Sequence, residues 1–168
     1  MKHKIIDNFL EEKHLIDFKK FINSEEIPWY FKKTDTSNET ENKNGCFNFC
    51  FYNGGVPRAS EYEPLILPIL KKLNFLAPIQ VRLNMTMRDI DTISCGFHTD
   101  YNCKNSTTAI LFLTNCNSKT VLNYDKQTYS IKSVENRILI FPSNIMHKVI
   151  YQTDVFKRFV LNLNYFEV

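Results

Sequence analysis

The stretch Gly96-Phe97-His98-Thr99-Asp100-Tyr101 decides how the rest of the sequence is interpreted. It places a histidine and an aspartate two residues apart. In an extended segment, side chains at positions i and i+2 project from the same face. An imidazole and a carboxylate would therefore converge on one point, where a metal ion could bind.

Two residues further along the chain complete this pattern. His147 is the only later histidine, and Arg158 follows it eleven positions later. Two histidines and one carboxylate fill three coordination positions of a metal and leave three open. Zinc also binds such ligands, so the ligand types alone do not name the metal. The alternative is a histidine-aspartate pair on a solvated loop and an unrelated histidine in the core.

The ordered set His98-x-Asp100, His147 and Arg158 resembles the 2-oxoglutarate/Fe(II) dioxygenases, most of all their prolyl 4-hydroxylase-like branch. The resemblance covers the chain from Ile79 to the C-terminus and, more loosely, the N-terminal helices. It implies that His98, Asp100 and His147 are the catalytic Fe(II) ligands. It also implies that Arg158 binds the distal carboxylate of 2-oxoglutarate, with O2 as the other co-substrate and ascorbate as a stimulant. A guanidinium suits that role because it matches a carboxylate with two parallel hydrogen bonds.

The second half of the chain has the pattern of β-strands. From Ile79 to Met87, apolar residues alternate with polar ones, which predicts a strand with one apolar and one polar face. The segment from Arg158 to Tyr165 alternates in the same way. Shorter, more uniformly apolar strands are predicted at 108–113, 120–124 and 137–141. Short strands separated by turn residues indicate a sandwich or jelly roll.

The first half is predicted to be partly helical. Apolar residues recur at helical spacing over 8–22, and Ser60-x-x-Glu63 is a capping-box pattern that would open a second helix to Leu73. Pro68 should kink or restart that helix. Aromatic segments at 28–31 and 47–52 are predicted strands, joined by the polar run 34–44. We expect that run, with the turn at 53–58, to form a flexible lid beside the iron, and an idle surface loop is the alternative.

These helices need an apolar surface to cover, and the two long amphipathic strands offer one. If the helices pack there, the polar faces of the strands point into the barrel. Those faces carry Arg82, Asn84, Thr86, Arg158, Asn162 and Asn164. Asn84, Thr86 and Asn162 are therefore further candidates for binding the co-substrate, and ordinary structural polar contacts are the alternative. Phe112 stands where related enzymes can carry a tyrosine hydroxyl toward 2-oxoglutarate.

The expected architecture is mainly β with N-terminal helices. Its core is a double-stranded β-helix, a cupin-like jelly roll, with the helices packed on one sheet. The chain of 168 residues is long enough for one domain with a substantial core. We expect a single dioxygenase domain over 1–168, with a helical and lid-supporting region at 1–75 and the jelly-roll core at 76–168.

Composition limits the partners and the compartment. The net charge is +3 with both signs interspersed, so a nucleic-acid partner is not expected. No segment has the length and hydrophobicity of a membrane span or the pattern of a signal peptide. Five cysteines without a CxxC pair favour reduced thiols. We therefore expect a cytoplasmic protein. The chain is rich in Asn, Lys and Ile and poor in Gly and Arg, which is typical of an AT-rich genome, so the expected source is a bacterial or virus-infected cell.

The resemblance implies hydroxylation of a substrate C–H bond, with release of succinate and CO2. Asp100 favours hydroxylation, because halogenating relatives lack this carboxylate. The substrate predicted first is a protein or peptide side chain such as proline. The alternatives are a free amino acid or small metabolite, or a non-catalytic cupin-like binding module. Nucleic-acid repair ranks low. The repair branch of the family usually carries a second arginine after the first, and none follows Arg158 in the last strand.

Overall fold

The computed structural model describes residues 2–33, 45–88, 94–101, 103 and 105–168. Two helices, α1 and α2, span Glu12–Ile22 and Leu67–Lys72, and a π-helical turn, Tyr62–Ile66, leads into α2. The strands of the first half are β1 Lys4–Ile6, β2 Tyr30–Lys33, β3 Gly45–Asn53, β4 Val56–Pro57 and β5 Phe75–Met87. Those of the second half are β6 Ser106–Phe112, β7 Lys119–Tyr124, β8 Gln127–Lys132, β9 Arg137–Pro142, β10 Met146–Ile150 and β11 Lys157–Glu167.

The strands form two antiparallel sheets. The larger sheet has the order β1-β9-β6-β11-β5-β3-β2, with β4 added to β3, and the smaller has the order β10-β7-β8. One hydrophobic cluster joins them: it combines Leu122 and Ile131 of the small sheet with Ile110, Leu139 and Val160 of the large one. This arrangement is the expected double-stranded β-helix.

The helices cover the opposite face of the large sheet, as predicted. A second hydrophobic cluster contains residues of α1, α2, β5 and β11, among them Phe18, Leu70, Leu83 and Leu161. Each of these four side chains is fully buried. Because successive residues of a strand point to opposite faces, the polar residues of β5 and β11 face the small sheet.

Several elements differ from the sequence predictions. Strands β1, β8 and β10 were not predicted, because β1 and β10 are short and β8 is mostly exposed and polar. Helix α1 begins at Glu12 rather than at residue 8. The capping box is wrong: no side chain caps either the π-helical turn or α2. Pro68 lies at the start of α2, so it restarts the helix after the turn.

The predicted lid has two parts with different outcomes. Its polar run, 34–44, lies outside the described residues. The turn after β3 is a hairpin in which Gly54 and Gly55 adopt positive φ angles of 62° and 87°, which glycine tolerates. Arg58 lines a cavity beside α1 with Lys20 and Phe21, and no residue of 53–58 lines the cavities beside the candidate metal ligands described below. No helix of the described chain is long and apolar enough to cross a membrane.

Candidate metal centre

His98 and His147 lie opposite each other across an antiparallel bridge. The amide of each residue donates to the carbonyl of the other, at N···O distances of 2.9 and 2.8 Å. Directly opposed residues of an antiparallel pair project to the same side. The two rings consequently lie with their centroids 4.6 Å apart. This pairing depends on β10, which places His147 against a segment remote in sequence.

Asp100 completes the cluster. Its two carboxylate oxygens lie 3.8 Å from Nε2 of His98 and 3.5 Å from Nε2 of His147. The three ligand atoms all lie within 4.8 Å of one another. Two ligands that each bind one ion at about 2.1 Å can be at most about 4.2 Å apart. Both carboxylate–imidazole distances meet that limit, and two imidazoles with one carboxylate are a donor set that binds Fe(II).

Backbone carbonyls orient both imidazoles. Nδ1 of His98 lies 3.0 Å from the carbonyl oxygen of Gly96, and Nδ1 of His147 lies 3.3 Å from that of Ile145. A protonated Nδ1 donates in each of these contacts, which leaves the Nε2 lone pair directed at the cluster. Metal-binding histidines in proteins are held in this way.

A buried polar chain positions Asp100. Asn162 of β11 donates to Oδ2 of Asp100 at 2.6 Å, and Asn164 donates to Oδ1 of Asn162 at 2.9 Å. Thr108 of β6 then lies 2.8 Å from Asn164 and 2.9 Å from the hydroxyl of Ser143. The carboxylate is thus fixed to the large sheet, although it belongs to a connecting segment.

The charge balance of the cluster favours a cation. Burial raises the pKa of Asp100, but hydrogen bonds from His147 and Asn162 outweigh burial and hold that pKa well below its usual range. Burial lowers the pKa of His147, but the Asp100 carboxylate outweighs it and the net shift is upward. In the ion-free cluster the carboxylate therefore attracts protons to its neighbours, and a metal cation would be attracted for the same reason.

Arg158 lies in the same cavity as the three ligands. The cavity has a volume of about 130 Å³ and is lined by the triad, Arg158 and Tyr151, among others. The Arg158 side chain is 2% exposed. Its Nε donates to Ser133 at 3.4 Å, and Nη2 has no hydrogen-bond partner within the described parts of the chain. Burial lowers the pKa of Arg158 to about 10, so the guanidinium stays charged at neutral pH.

Comparison with known proteins supports the architecture. The sequence matches no protein-family model and no curated protein. Among solved structures, an oxidoreductase of the 2OG-Fe(II) oxygenase family from Burkholderia pseudomallei is similar with a TM-score of 0.74 and 9% identity, over 98% of this chain and 85% of that one. A prolyl hydroxylase from Trichoplax adhaerens, solved with a hypoxia inducible factor peptide fragment, has a TM-score of 0.63 and 15% identity, over 99% and 84%.

A third similar structure is that of an enzyme with a different reaction, an epimerisation. It is the non-heme alpha ketoglutarate dependent epimerase SnoN of nogalamycin biosynthesis, with a TM-score of 0.71 and 8% identity, over 99% of this chain and 78% of that one. The chain has the fold of the 2-oxoglutarate/Fe(II) oxygenases. Prolyl hydroxylases are among its structural neighbours, in agreement with the sequence resemblance.

Within this oxygenase fold, the remaining candidates have distinct positions. Asn84, Thr86 and Asn162 line the cavity with Arg158. The Thr86 hydroxyl donates to the side chain of Gln152 at 3.0 Å, and Gln152 donates back to the Thr86 carbonyl at 2.8 Å. Thr86 therefore holds Gln152 in place as well as lining the cavity. Asn162 is engaged with Asp100, as described above.

Sequence reasoning missed Tyr151. It is 5% exposed and lines the cavity with Arg158, and burial raises the pKa of its hydroxyl while the Arg158 charge lowers it. Phe112, by contrast, lies outside the cavity lining, with its ring 5.7 Å from the Arg158 guanidinium. The cavity is thus lined by the phenol of Tyr151 and not by the ring of Phe112. Tyr151 directly follows β10, which was not predicted, and no alternation of apolar and polar residues in the sequence indicates that its side chain is buried.

Proposed function

We propose that this chain is an Fe(II)- and 2-oxoglutarate-dependent oxygenase that hydroxylates a substrate C–H bond and releases succinate and CO2. The observation that carries the proposal is the buried, incompletely paired guanidinium of Arg158, which shares one cavity with a His-Asp-His cluster. A buried charge without a partner is costly. A carboxylate bound at Nη2 would remove that cost, and 2-oxoglutarate carries a second carboxylate that can reach the metal.

Eight residues that line the cavity have defined tasks in this proposal. His98, Asp100 and His147 would hold Fe(II), which when bound supplies O2 activation coupled to oxidative decarboxylation of 2-oxoglutarate. Arg158 would bind the distal carboxylate of 2-oxoglutarate through a charge-assisted pair. Tyr151 would donate its hydroxyl to the same carboxylate, because its raised pKa keeps it protonated. Asn84 and Thr86 would shape the wall of the cavity, and Asn162 would hold Asp100 in position.

We propose a peptide or amino-acid substrate, with a prolyl side chain the first to test. The support is the sequence resemblance to prolyl 4-hydroxylases and the presence of prolyl hydroxylases among the structural neighbours. Hydroxylation of a small metabolite is the second candidate, favoured by the similarity to an epimerase of antibiotic biosynthesis. The carboxylate of Asp100 favours hydroxylation over halogenation in either case.

An anaerobic titration with Fe(II) and 2-oxoglutarate tests the proposal. The protein should develop the visible metal-to-ligand absorption of a chelated keto acid, and His147→Ala should abolish it. His14→Ala is the control, because His14 lies on α1 and contacts the carbonyl oxygen of Leu65 on the helical side of the large sheet. Admission of O2 should then yield succinate, with and without ascorbate. Absence of the absorption in the parent protein would leave a non-catalytic cupin-like module as the better description.

A further inference from the structure

A second, larger cavity opens beside the metal cluster. It has a volume of about 450 Å³ and lies side by side with the first cavity, because five residues line both: Cys46, Asn84, Cys95, His98 and Asp100. Its own lining adds amide and cationic side chains: Asn48, Gln80, Arg82 and Lys32. No aliphatic side chain is among the described residues that line it. The chemistry of this wall suits a polar ligand.

Arg82 is the distinctive residue of that wall. Its Nε is buried and, within the described parts of the chain, has no hydrogen-bond partner. Among the described residues, one other buried side-chain nitrogen lacks a hydrogen-bond partner, and it is Nη2 of Arg158. Neither Arg82 nor Lys32 forms an ion pair with a described residue. An unpartnered buried donor is costly unless a ligand supplies the acceptor.

Strand register separates the two arginines. On the inner face of the large sheet, Arg158 is paired with Thr86, and Asn162 is paired with Arg82. These rows are four residues apart along β11, which corresponds to about 13 Å at about 3.3 Å per residue. Asn162 holds Asp100 at 2.6 Å, so Arg82 lies in the row of the metal ligand. A ligand at Arg82 would therefore be distinct from a carboxylate at Arg158.

The charges of the second cavity are unbalanced. Asp100 is the one carboxylate among its described lining residues, and it is committed to the imidazoles and to Asn162. Arg82 and Lys32 remain as cations, and both act on the thiol of Cys46, which lines the same cavity. Burial raises the pKa of that thiol, and the two positive charges partly offset the rise. An anion entering this cavity would meet two positive side chains.

We propose that the second cavity is the substrate site and that Arg82, assisted by Lys32, binds a carboxylate of the substrate. The substrate is then an amino acid, a peptide C-terminus or an acidic side chain. This inference rests on the proposed function, because it assigns the substrate class of the same iron site. A planar guanidinium fork matches a carboxylate, and the neighbouring amide of Asn48 offers a further donor.

Cys46 provides a test that needs no catalysis. Anionic iodoacetate and neutral iodoacetamide both alkylate thiolates, so the ratio of their rates reports the local potential and cancels the thiolate fraction. Mass spectrometry of the Cys46-containing peptide, released after the full-length protein has been alkylated, would measure the ratio at Cys46 apart from the other cysteines. Arg82→Gln should lower it at least threefold, and Arg82→Lys should restore most of it. Arg58→Gln is the matched control, because Arg58 lines the cavity beside α1. Equal ratios in Arg82→Gln and the parent would overturn the proposal.

A substrate screen supplies the second test. Succinate release would be measured with pairs that differ only in a carboxylate: proline and prolinamide, glutamate and glutamine, and a prolyl peptide with a free or amidated C-terminus. At least one carboxylate should stimulate release tenfold more than its amide, and Arg82→Gln should remove that preference. Amides as effective as carboxylates, or stimulation by a phosphorylated peptide alone, would overturn the inference.

The two proposals fail in different ways. Loss of the Fe(II)·2-oxoglutarate absorption in the parent protein would contradict the oxygenase assignment. An intact absorption without carboxylate preference would contradict the role of Arg82 alone. If Arg82→Gln instead raises the KM for 2-oxoglutarate in proportion to Arg158→Ala, then Arg82 belongs to the co-substrate site and the substrate assignment is wrong.

Discussion

Arg158 carries a buried positive charge that the surrounding described residues pair only in part. Its Nε donates to the Ser133 hydroxyl at 3.4 Å, the Cys116 thiol offers a further hydrogen bond, and the ring of Phe112 lies 5.7 Å away. Such a residue weakens the empty protein and strengthens the loaded one. Asn162 represents the opposite case, since it is engaged on both sides, by Asp100 and Asn164. The two residues lead to different predictions.

Replacing Arg158 by methionine should stabilise the protein without its co-substrate and abolish co-substrate binding. Removal of a buried, poorly paired charge is expected to raise the free energy of unfolding by about 1 kcal/mol. Loss of a charge-assisted pair worth about 3 kcal/mol should weaken 2-oxoglutarate binding roughly 100-fold. Urea unfolding and the absorption titration measure the two effects.

Arg137→Met is the control, because Arg137 forms a surface ion pair with Asp7 at 2.6 Å. It should lower the free energy of unfolding by less than about 1 kcal/mol and leave 2-oxoglutarate binding unchanged. A destabilised Arg158→Met variant that still binds 2-oxoglutarate would contradict both parts of the prediction.

Asn162→Ala should weaken metal binding. The amide of Asn162 orients Asp100, and loss of such a partner costs about 10- to 100-fold in metal affinity. Competition with a chromophoric chelator would measure the change with Fe(II) or Mn(II). Asn123→Ala, an exposed position of β7, is the control and should bind metal like the parent. Unchanged affinity in Asn162→Ala would show that Asp100 is positioned without it.

At the scale of elements, the helices and the large sheet share one core. Leu70 of α2 is fully buried against this core, whereas Leu76 at the start of β5 is 67% exposed. The helices contribute none of the described residues that line the two cavities beside the metal ligands. Their contribution is to the stability of the sheet whose other face carries Arg158 and Asn162.

Leu70→Ala and Leu76→Ala form a matched pair. The buried substitution should lower the free energy of unfolding by about 2–5 kcal/mol, because it removes packed methyl groups and leaves a cavity. The exposed one should change it by less than about 0.5 kcal/mol. Urea denaturation measures both. Equal effects would contradict the packing of α2 on the sheet.

For the whole molecule, the metal cluster connects the two sheets. His147 belongs to β10 of the small sheet, and Asp100 is tied through Asn162 to β11 of the large sheet. His98 is paired with His147, and this bridge joins the connecting segment to the small sheet. A metal bound here would crosslink parts of the chain that are remote in sequence.

Metal binding should therefore stabilise the whole fold. A ligand at 100 times its dissociation constant adds about 2.7 kcal/mol if it binds only the folded state. For a domain of this size, that corresponds to an increase in Tm of about 5–10 °C. Differential scanning fluorimetry with Mn(II) would measure the increase, and His147→Ala should lose it. A similar increase in His147→Ala would place the metal elsewhere.

Much of the fold could be predicted because alternation and helical spacing are local properties. The alternation of β5 and β11 correctly assigned one face to the helices and the other to the barrel interior. Strands β8 and β10 escaped prediction because exposure or short length removes the periodic signal. The lid stays a prediction for residues 34–44, whereas its turn at 53–58 lies beside α1.

The sequence by itself determined which residues could bind a metal and a carboxylate, because donor chemistry is a property of the side chain. His98, Asp100, His147 and Arg158 are recognisable by type and order. Only the tertiary structure decided that they share one cavity, since the bridge between His98 and His147 joins segments about fifty residues apart. The structure also revealed Tyr151 in the cavity and the buried Nε of Arg82, which has no hydrogen-bond partner among the described residues, because burial depends on the packing of remote strands.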